Sequence, residues 1–324
     1  MNNIIYFNES NRQQQLIYSK LPVKKVMQEW LQHSKNYIKV STLQKYESII
    51  NNHIIRNIGH FYIEELTETI INDFISYLLS RGNLKNQKGL SMKTVNDILI
   101  VLEMGLKYAE EIYFVPYPKI KLLKFKYKEI QILSYQQQKT LENFLLHEIN
   151  IDKFAILLTL YSGLRIGELC ALQWNDMLGG CIKVSKTMLR IKDENNRTKV
   201  IISEPKTTSS NRVIPLPEFI LPIVEKFKKS EGYVLSNDKG KFIEPRLMQM
   251  KLKKIILEAG LPDFNFHILR HSFATRCVEA NFEVKSLSEI LGHSNVKTTL
   301  NLYVHPSIEL KRKNMNKLQL TANI

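Results

Sequence analysis

Cysteine is nearly absent from this chain. The three present among 324 residues, Cys170, Cys181 and Cys277, share neither paired nor metal-ligand spacing. That excludes a disulfide framework and fits free thiols in a reducing cytoplasm. No apolar run reaches the length that spans a bilayer, and the amino terminus has neither the basic start nor the apolar core of a signal peptide. Long repeats and low-complexity stretches are missing too. No convincing carboxylate cluster appears, so the chain lacks the usual means of holding catalytic divalent ions. Acidic charge is in deficit: 31 Asp and Glu face 46 Lys and Arg, a formal net charge of +15. Such an excess suits a polyanion. The richness in Ile, Asn and Lys leaves the codon usage of an AT-rich genome as a second source of part of that charge.

What is present divides at a proline pair. Residues 1–19 are polar and without period, a tail. Residues 20–115 read as four helices. Val23, Val26, Met27, Trp30 and Leu31 form the stripe of the first. Ser41 and Gln44 make a capping box for the second, whose stripe holds Leu43, Tyr46 and Ile50. Thr67 caps the third, with Ile70, Ile71, Phe74, Ile75 and Leu78 inward; the fourth starts at Ser91 and runs through Val95, Ile98, Leu102, Leu106 and Ala109. After Pro116 and Pro118, lysines alternate with apolar residues: Lys119, Lys121, Lys124, Lys126 and Lys128. Residues 116–129 therefore read as a basic linker, either simply solvated or laid across phosphates. Residues 1–129 carry 18 basic against 12 acidic side chains and residues 130–324 carry 28 against 19, so both halves are basic.

The second half opens with a helix capped by Ser134 and Gln137, then a buried helix over Phe154 to Tyr161, then Gly163 and a helix bearing Arg165. Residues 181–216 turn β-like, in runs such as Cys181–Val184, Lys199–Ile202 and Arg212–Leu216. Helical periods return around 218–229 and 246–259, and three more helices follow from His267, broken near Asn281 and at Gly292. The expected fold class is an all-helical amino-terminal bundle followed by a mainly helical α+β domain with a small antiparallel sheet.

Cleaving a phosphodiester makes three demands. Charge on the nonbridging oxygens must be stabilised, a nucleophile must lose a proton, and the leaving sugar oxygen must gain one. Arg165 and Arg270 suit the first, because a guanidinium binds two phosphate oxygens in a fixed fork and stays charged. Glu168, three residues after Arg165, is either a surface ion-pair partner or a support for that site. His267 precedes Arg270 by three residues and shares its helical face; a histidine there can donate to a phosphate or move a proton. His271, adjacent to Arg270, should turn away and be structural. His293 follows Gly292 at a helix end, where capping carbonyls is the other role. Tyr303 is the candidate nucleophile, though a tyrosine among Leu300, Leu302 and Val304 also suits a core.

Together these residues resemble the tyrosine recombinases, the phage-integrase family. The resemblance rests on Thr159-Leu160-Tyr161-Ser162-Gly163-Leu164-Arg165-Ile166-Gly167-Glu168-Leu169, on His267-Ile268-Leu269-Arg270-His271-Ser272-Phe273-Ala274-Thr275, on Leu291-Gly292-His293 and on Tyr303. It covers roughly 130–312 strongly and 20–115 more weakly, by layout. It implies a helical core-binding (DNA-binding) domain at 20–115, a catalytic domain at 130–312 and a C-terminal tail at 313–324. It also implies that Tyr303 attacks the scissile phosphate to give a 3′-phosphotyrosyl link, with Arg165, Arg270 and His293 stabilising the transition state and His267 assisting. The family's hairpin lysine, which protonates the leaving oxygen, matches Lys206 best; Lys186 and Lys199 are rivals. No metal, ATP or other cofactor is implied. The implied partners are double-stranded DNA, further copies of the chain in a tetramer on two DNA sites, and a directionality or DNA-bending accessory protein. The setting is cytoplasmic and nucleoid-associated, with no membrane partner. In the family, tails such as 304–324 often pack on a neighbouring protomer. Some integrases carry an extra amino-terminal domain for distant arm sites, which about 19 polar residues cannot build, so core sites alone or a domain missing from this chain are both expected. Integration or excision of a mobile element is the first reading. Chromosome-dimer resolution, a type IB topoisomerase and a catalytically silent DNA-binding protein are alternatives.

Overall fold

The structure, a computed structural model, describes residues 21–125, 130–193, 197–203, 211–237, 239–303, 312 and 315–316, with backbone alone for 301–303. The chain divides into two compact units, 1–128 and 129–324.

The first unit is a helical bundle. Helix α1 (Val23–Ser34) buries Val23, Val26, Met27 and Trp30. Helix α2 (Val40–Ile49) runs on through a π-helical turn, Ile50–Ile54, and a last turn, Ile55–Ile58. Its amino-terminal cap is Lys39, with no side-chain cap bond, so the expected Ser41–Gln44 box does not form. The chain enters helix one residue before Ser41, which leaves that hydroxyl inside the first turn. Helix α3 (Glu68–Arg81) is capped by Thr67, whose Oγ1 accepts from the Ile70 amide at 3.3 Å. Helix α4 (Met92–Tyr113) is capped by Ser91, whose Oγ accepts from the Thr94 amide at 3.2 Å. The inward stripes of these helices form one apolar core.

Residues 116–123, part of the basic linker read above as either solvated or laid across phosphates, are not simply solvated but pack on this bundle. Val115 and Ile120 are buried in its core. The Asn96 amide brackets Leu123, donating to its carbonyl and accepting from its N–H, both at 2.9 Å. Apolar residues between the lysines drive this: Ile120 goes in while Lys119, Lys121 and Lys124 stay exposed. Lys126 and Lys128 lie outside the described residues, as do the 1–19 tail and most of 304–324.

The second unit is built on α6 (Ile151–Ser162), buried on nearly every face and capped by Asn150. Around it pack α5 (Tyr135–Leu146), with the expected Ser134–Gln137 capping box, α9 (Pro245–Glu258) and α10 (Phe266–Glu279). Helix α7 (Ile166–Ala171) follows Gly163, and α8 (Leu221–Phe227), α11 (Val284–Leu291) and α12 (Val296–Tyr303) complete the helices of this unit among the described residues. Two small antiparallel sheets replace the single one expected. One orders β1 (Met177–Leu178), β2 (Cys181–Val184) and β5 (Arg212–Pro215); the other is a hairpin of β3 (Thr187–Lys192) and β4 (Thr198–Ser203). Among the described residues no helix is long and apolar enough to cross a membrane.

Two glycines set the backbone near the future site. A Cβ on Gly167 would stand 2.7 Å from the Met188 carbonyl, so α7 rests directly on β3. Gly163 ends α6 at φ +65°, and a Cβ there would meet the Phe273 ring at 2.5 Å. Gly163→Ala is expected to lower unfolding free energy by about 2–4 kcal/mol, combining left-handed strain with overpacking. Gly179→Ala, at φ +58° with nothing within 4 Å, should cost only the strain, about 1 kcal/mol. Chemical denaturation of the two variants checks the difference.

Candidate active site

The sequence motifs converge on one end of helix α11. That helix closes with Gly292 at φ +63°, and the His293 amide reaches back to the Ser288 carbonyl at 3.1 Å. The turn leaves three successive carbonyls at the negative end of the helix, each taken by a different arginine. Arg212 Nε donates to Ile290 O at 2.6 Å, Arg270 Nη2 to Leu291 O at 2.6 Å, and Arg165 Nη2 to Gly292 O at 3.2 Å.

Arg270 is buried, 3% exposed. Besides Leu291 it donates through Nη1 to Gly163 O at 2.6 Å, so one guanidinium bridges the carboxyl ends of α6 and α11. Arg165 does not ride within a helix, as expected, but holds the N-cap position, as the residue before α7, and Glu168 reaches back to it. The Glu168 carboxylate accepts from the Arg165 amide at 2.9 Å and from its Nη1 at 2.7 Å. It also accepts from Arg212 Nη1 at 3.1 Å and Nη2 at 2.8 Å. Burial alone would raise the Glu168 pKa. The hydrogen bonds and charge of Arg212, then the charge of Arg165, outweigh it and hold the carboxyl at about 2. Glu168 is thus a buried support, not a surface ion-pair partner.

His293 is held from both sides. Arg270 Nη2 lies 3.1 Å from Nε2, and Thr299 Oγ1 lies 2.8 Å from Nδ1. A guanidinium only donates, so Nε2 accepts and the neutral ring donates from Nδ1 to the buried Thr299 hydroxyl. Burial, then the charges of Arg270, Arg165 and Arg212, push the His293 pKa down to about 4. His267, in the first turn of α10, has its pKa lowered by burial and by Arg270 and Arg165. His271 does not turn away from it: the two rings meet edge-on with centroids 5.6 Å apart, because positions four apart share a helical face. Burial, His267 and Arg270 push the His271 pKa down to about 4.

A cleft of about 620 Å³ opens over this cluster. Arg165, His267 and His293 line it, facing β3 and the start of α9, where Arg190 pairs with Glu244 at 3.5 Å. The cluster of Arg165, Glu168, Arg212, Arg270 and His293 carries three positive charges against one negative at neutral pH, a ready anion site. Among the described residues no group of three His, Cys, Asp or Glu could hold a metal ion.

Tyr303 ends α12, the helix that follows the His293 turn and carries Thr299. Lys206 lies outside the described residues. The strands flanking it, β4 and β5, belong to different sheets instead of forming one hairpin. Of its rivals, Lys186 donates to Gln173 Oε1 at 2.8 Å, and Lys199 is exposed on β4. Arg212 and Thr299 were not singled out from the sequence. Arg212 had a readable signal: in Arg212-Val213-Ile214 the strand alternation puts it on the face of buried Ile214, where a guanidinium requires a counter-charge.

Residues 132–309 match the model of the phage integrase family, and residues 23–79 match that of the phage integrase N-terminal SAM-like domain. A tyrosine recombinase XerC-like protein of Caldanaerobacter subterraneus subsp. tengcongensis is 30% identical over 82% of this chain and 74% of its own length. The ICEBs1 integrase of Bacillus subtilis is 27% identical over 81% of this chain and 72% of its own length. The fold is similar to the Tn1549 transposon integrase solved with transposon right end DNA, with TM-score 0.76, 22% identity and coverage of 92% and 99%. It is also similar to a lambda integrase tetramer bound to a Holliday junction, with TM-score 0.64, 15% identity and coverage of 91% and 83%.

Proposed function

The chain belongs to the phage integrase family of tyrosine recombinases, and on that premise we propose that it is a site-specific DNA recombinase that integrates or excises a mobile element. The observation carrying this reading is the anchored arginine cluster. Arg165, at the edge of the cleft, is fixed by Gly292 O and Glu168, and the buried Arg270 by Gly163 O and Leu291 O, with net positive charge awaiting a phosphate.

In the proposed reaction the Tyr303 phenol passes its proton to neutral His267, its oxygen bonds to the scissile phosphorus and the bond to the 5′ oxygen breaks. Arg165 and Arg270 stabilise the charge that builds on the nonbridging oxygens. His267, at the cleft, assists in phosphate binding and proton movement. His293 is neutral, accepts from Arg270 Nη2 through Nε2 and donates to Thr299 through Nδ1, and so helps stabilise the transition state by aiming the Arg270 guanidinium. Lys206 protonates the leaving 5′ oxygen. The 3′-phosphotyrosyl link conserves the phosphodiester's energy, and a 5′-hydroxyl from the partner duplex reverses the step. ATP and metal are therefore dispensable. Two such exchanges make and resolve a Holliday junction, which requires four protomers on two duplexes, as in the lambda integrase assembly.

The first unit, with Lys119, Lys121, Lys124, Lys126 and Lys128 at its end, is proposed to hold the DNA core site through backbone phosphates, in the cytoplasm at the nucleoid. A directionality or DNA-bending protein is a further proposed partner. Mobile-element service is favoured by the likeness to the ICEBs1 integrase.

Thr299→Val removes the acceptor of the His293 Nδ1 proton. It should cost about 1 kcal/mol of positioning, roughly a fivefold slower cleavage, with DNA affinity unchanged. The reading itself is tested with two duplexes carrying the sequences that flank the coding gene, in EDTA and without ATP. Holliday junctions and recombinant duplexes are expected. Relaxation of supercoiled DNA without exchange indicates a type IB topoisomerase; binding without strand breakage indicates a catalytically silent DNA-binding protein.

A further inference from the structure

We propose that Arg212, which does not line the cleft, is a positioning residue for strand cleavage that holds Glu168 and the carboxyl end of α11 in register with the catalytic arginines. The proposal rests on the recombinase reading above. Its basis is geometric. Arg212 is the first residue of β5, paired across the sheet with Val184 of β2. Its side chain is only 5% exposed, and its donors are turned to Glu168 and Ile290. Among the described residues its guanidinium makes two kinds of contact. Both terminal nitrogens grip the two oxygens of Glu168, at 3.1 and 2.8 Å. The third nitrogen holds Ile290 O at 2.6 Å.

Each contact leads to a catalytic arginine by a single further bond. Glu168 fixes Arg165 through its amide and its Nη1. Ile290 is followed by Leu291 and Gly292, whose carbonyls hold Arg270 and Arg165. Strand β5 thereby ties α7 and α11 together through one side chain. Loss of that tie frees Glu168 to follow Arg165 out of register, and frees the α11 end to shift under Arg270. A displacement of this kind, near 1 Å, costs roughly 10²-fold in rate. Lysine does not replace it, because an ammonium lacks the planar fork that spans carboxylate and carbonyl together.

The same geometry predicts a pH signature. Around Glu168, β5 contributes Arg212 and the start of α7 contributes Arg165. Helix α10 contributes His267 and Arg270, and the turn after α11 contributes His293. Strand β3 meets α7 at Gly167 through Thr187 and Met188, neither of which titrates, and its Arg190 is paired with Glu244, the residue before α9. Arg212 is the leading cause holding Glu168 ionised against burial. Without it, Glu168 takes up a proton as pH falls from neutral, and Arg165 loses its anchor.

The test is single-turnover formation of the covalent protein–DNA adduct on a nicked suicide duplex. It compares wild type, Arg212→Met, Arg212→Lys, Glu168→Gln and the double variant Arg212→Met/Glu168→Gln. DNA affinity and thermal melting are measured for each. Expected are DNA affinity within about threefold of wild type, adduct formation slowed about 10²-fold in both Arg212 variants, and a deficit that widens toward pH 5.5. The double variant should be no slower than the slower single one, and its deficit flat with pH, because the two residues act as one unit. Wild-type rates in folded Arg212 variants overturn the proposal. So does a pH-independent loss that adds to that of Glu168→Gln, the mark of a merely structural role. Should Arg212→Met not fold, Arg212→Lys decides by its rate and pH profile. Failure of wild type itself to form adduct counts against the recombinase reading instead.

Discussion

Tyr303→Phe is expected to bind its DNA site as wild type does and to form no covalent adduct with it. The substitution deletes one oxygen, the atom that the proposed reaction joins to phosphorus. Phenylalanine keeps the shape and the helical preference of tyrosine, so the end of α12 has no reason to unfold. Binding should change by no more than a few-fold, since the affinity of a basic protein for DNA comes chiefly from many phosphate contacts. The rate should fall by on the order of 10⁴-fold or more, the usual scale when a nucleophile is removed from an otherwise intact site. The measurement pairs a mobility shift with denaturing electrophoresis of the same reaction. An undiminished adduct from Tyr303→Phe means that another nucleophile is at work.

Arg270→Lys carries the second largest expected effect, on two properties at once. The guanidinium donates to Gly163 O and Leu291 O, each at 2.6 Å, and approaches His293 Nε2 at 3.1 Å. A lysine ammonium cannot reach both helix ends and still present a donor to a phosphate. Losing one preorganised donor to the transition state costs on the order of 10²–10³ in rate. The buried carbonyls left without a partner cost about 1–3 kcal/mol each, so the melting temperature should drop as well. Arg165→Lys provides the contrast. Its side chain is 34% exposed, so water replaces lost contacts and stability should change by about 1 kcal/mol or less. Its cleavage rate should nonetheless fall as steeply as that of Arg270→Lys. Calorimetry together with single-turnover kinetics, run well below the melting temperature of the weaker variant, separates the two effects. A pair of variants with matched losses in both properties would contradict the different anchoring seen for the two arginines.

How much of this was legible in the sequence depended on whether the signal was local. Thr67, Ser91 and the Ser134–Gln137 pair cap the helices expected of them, because a cap is a contact between residues three apart. Ser41 fails by the same logic: with the helix already begun at Val40, the box residues sit inside the first turn. The division into a helical bundle and a helical unit with small sheets followed from period alone. Of the second sheet, Lys199–Ile202 within β4 was read as a β-like run, but its pairing with β3 apart from the other strands was not, because strand pairing leaves no local mark. That the stretch 116–123 packs on the bundle was missed for a related reason. Its lysines are conspicuous, whereas the Asn96 amide that brackets Leu123 from 27 positions away leaves no local mark.

The site shows the same divide. Arg165, His267, Arg270 and His293 were picked out by type and spacing, and the structure sets three of them at one cleft, with Arg270 buried against His293. Their mutual support was not visible. Nothing in the spacing says that Arg270 bridges two helix ends, that Arg165 stands just before a helix, or that three arginines share the successive carbonyls of Ile290, Leu291 and Gly292. Those are long-range contacts. Arg212 lies between these extremes, since an arginine on the inward phase of a short apolar strand demands a buried acid, and Glu168 was the candidate already in hand.

The claim on which everything else depends is that Tyr303 becomes covalently joined to DNA. The direct measurement is proteolysis of the wild-type adduct trapped on a nicked duplex in EDTA, followed by mass spectrometry of the nucleotide-bearing peptide. The proposed chemistry predicts a single modified peptide containing Tyr303, linked through its phenol oxygen to a 3′-phosphate. Modification of any other residue, a 5′-phosphate linkage, or DNA cleaved with no peptide attached would contradict it.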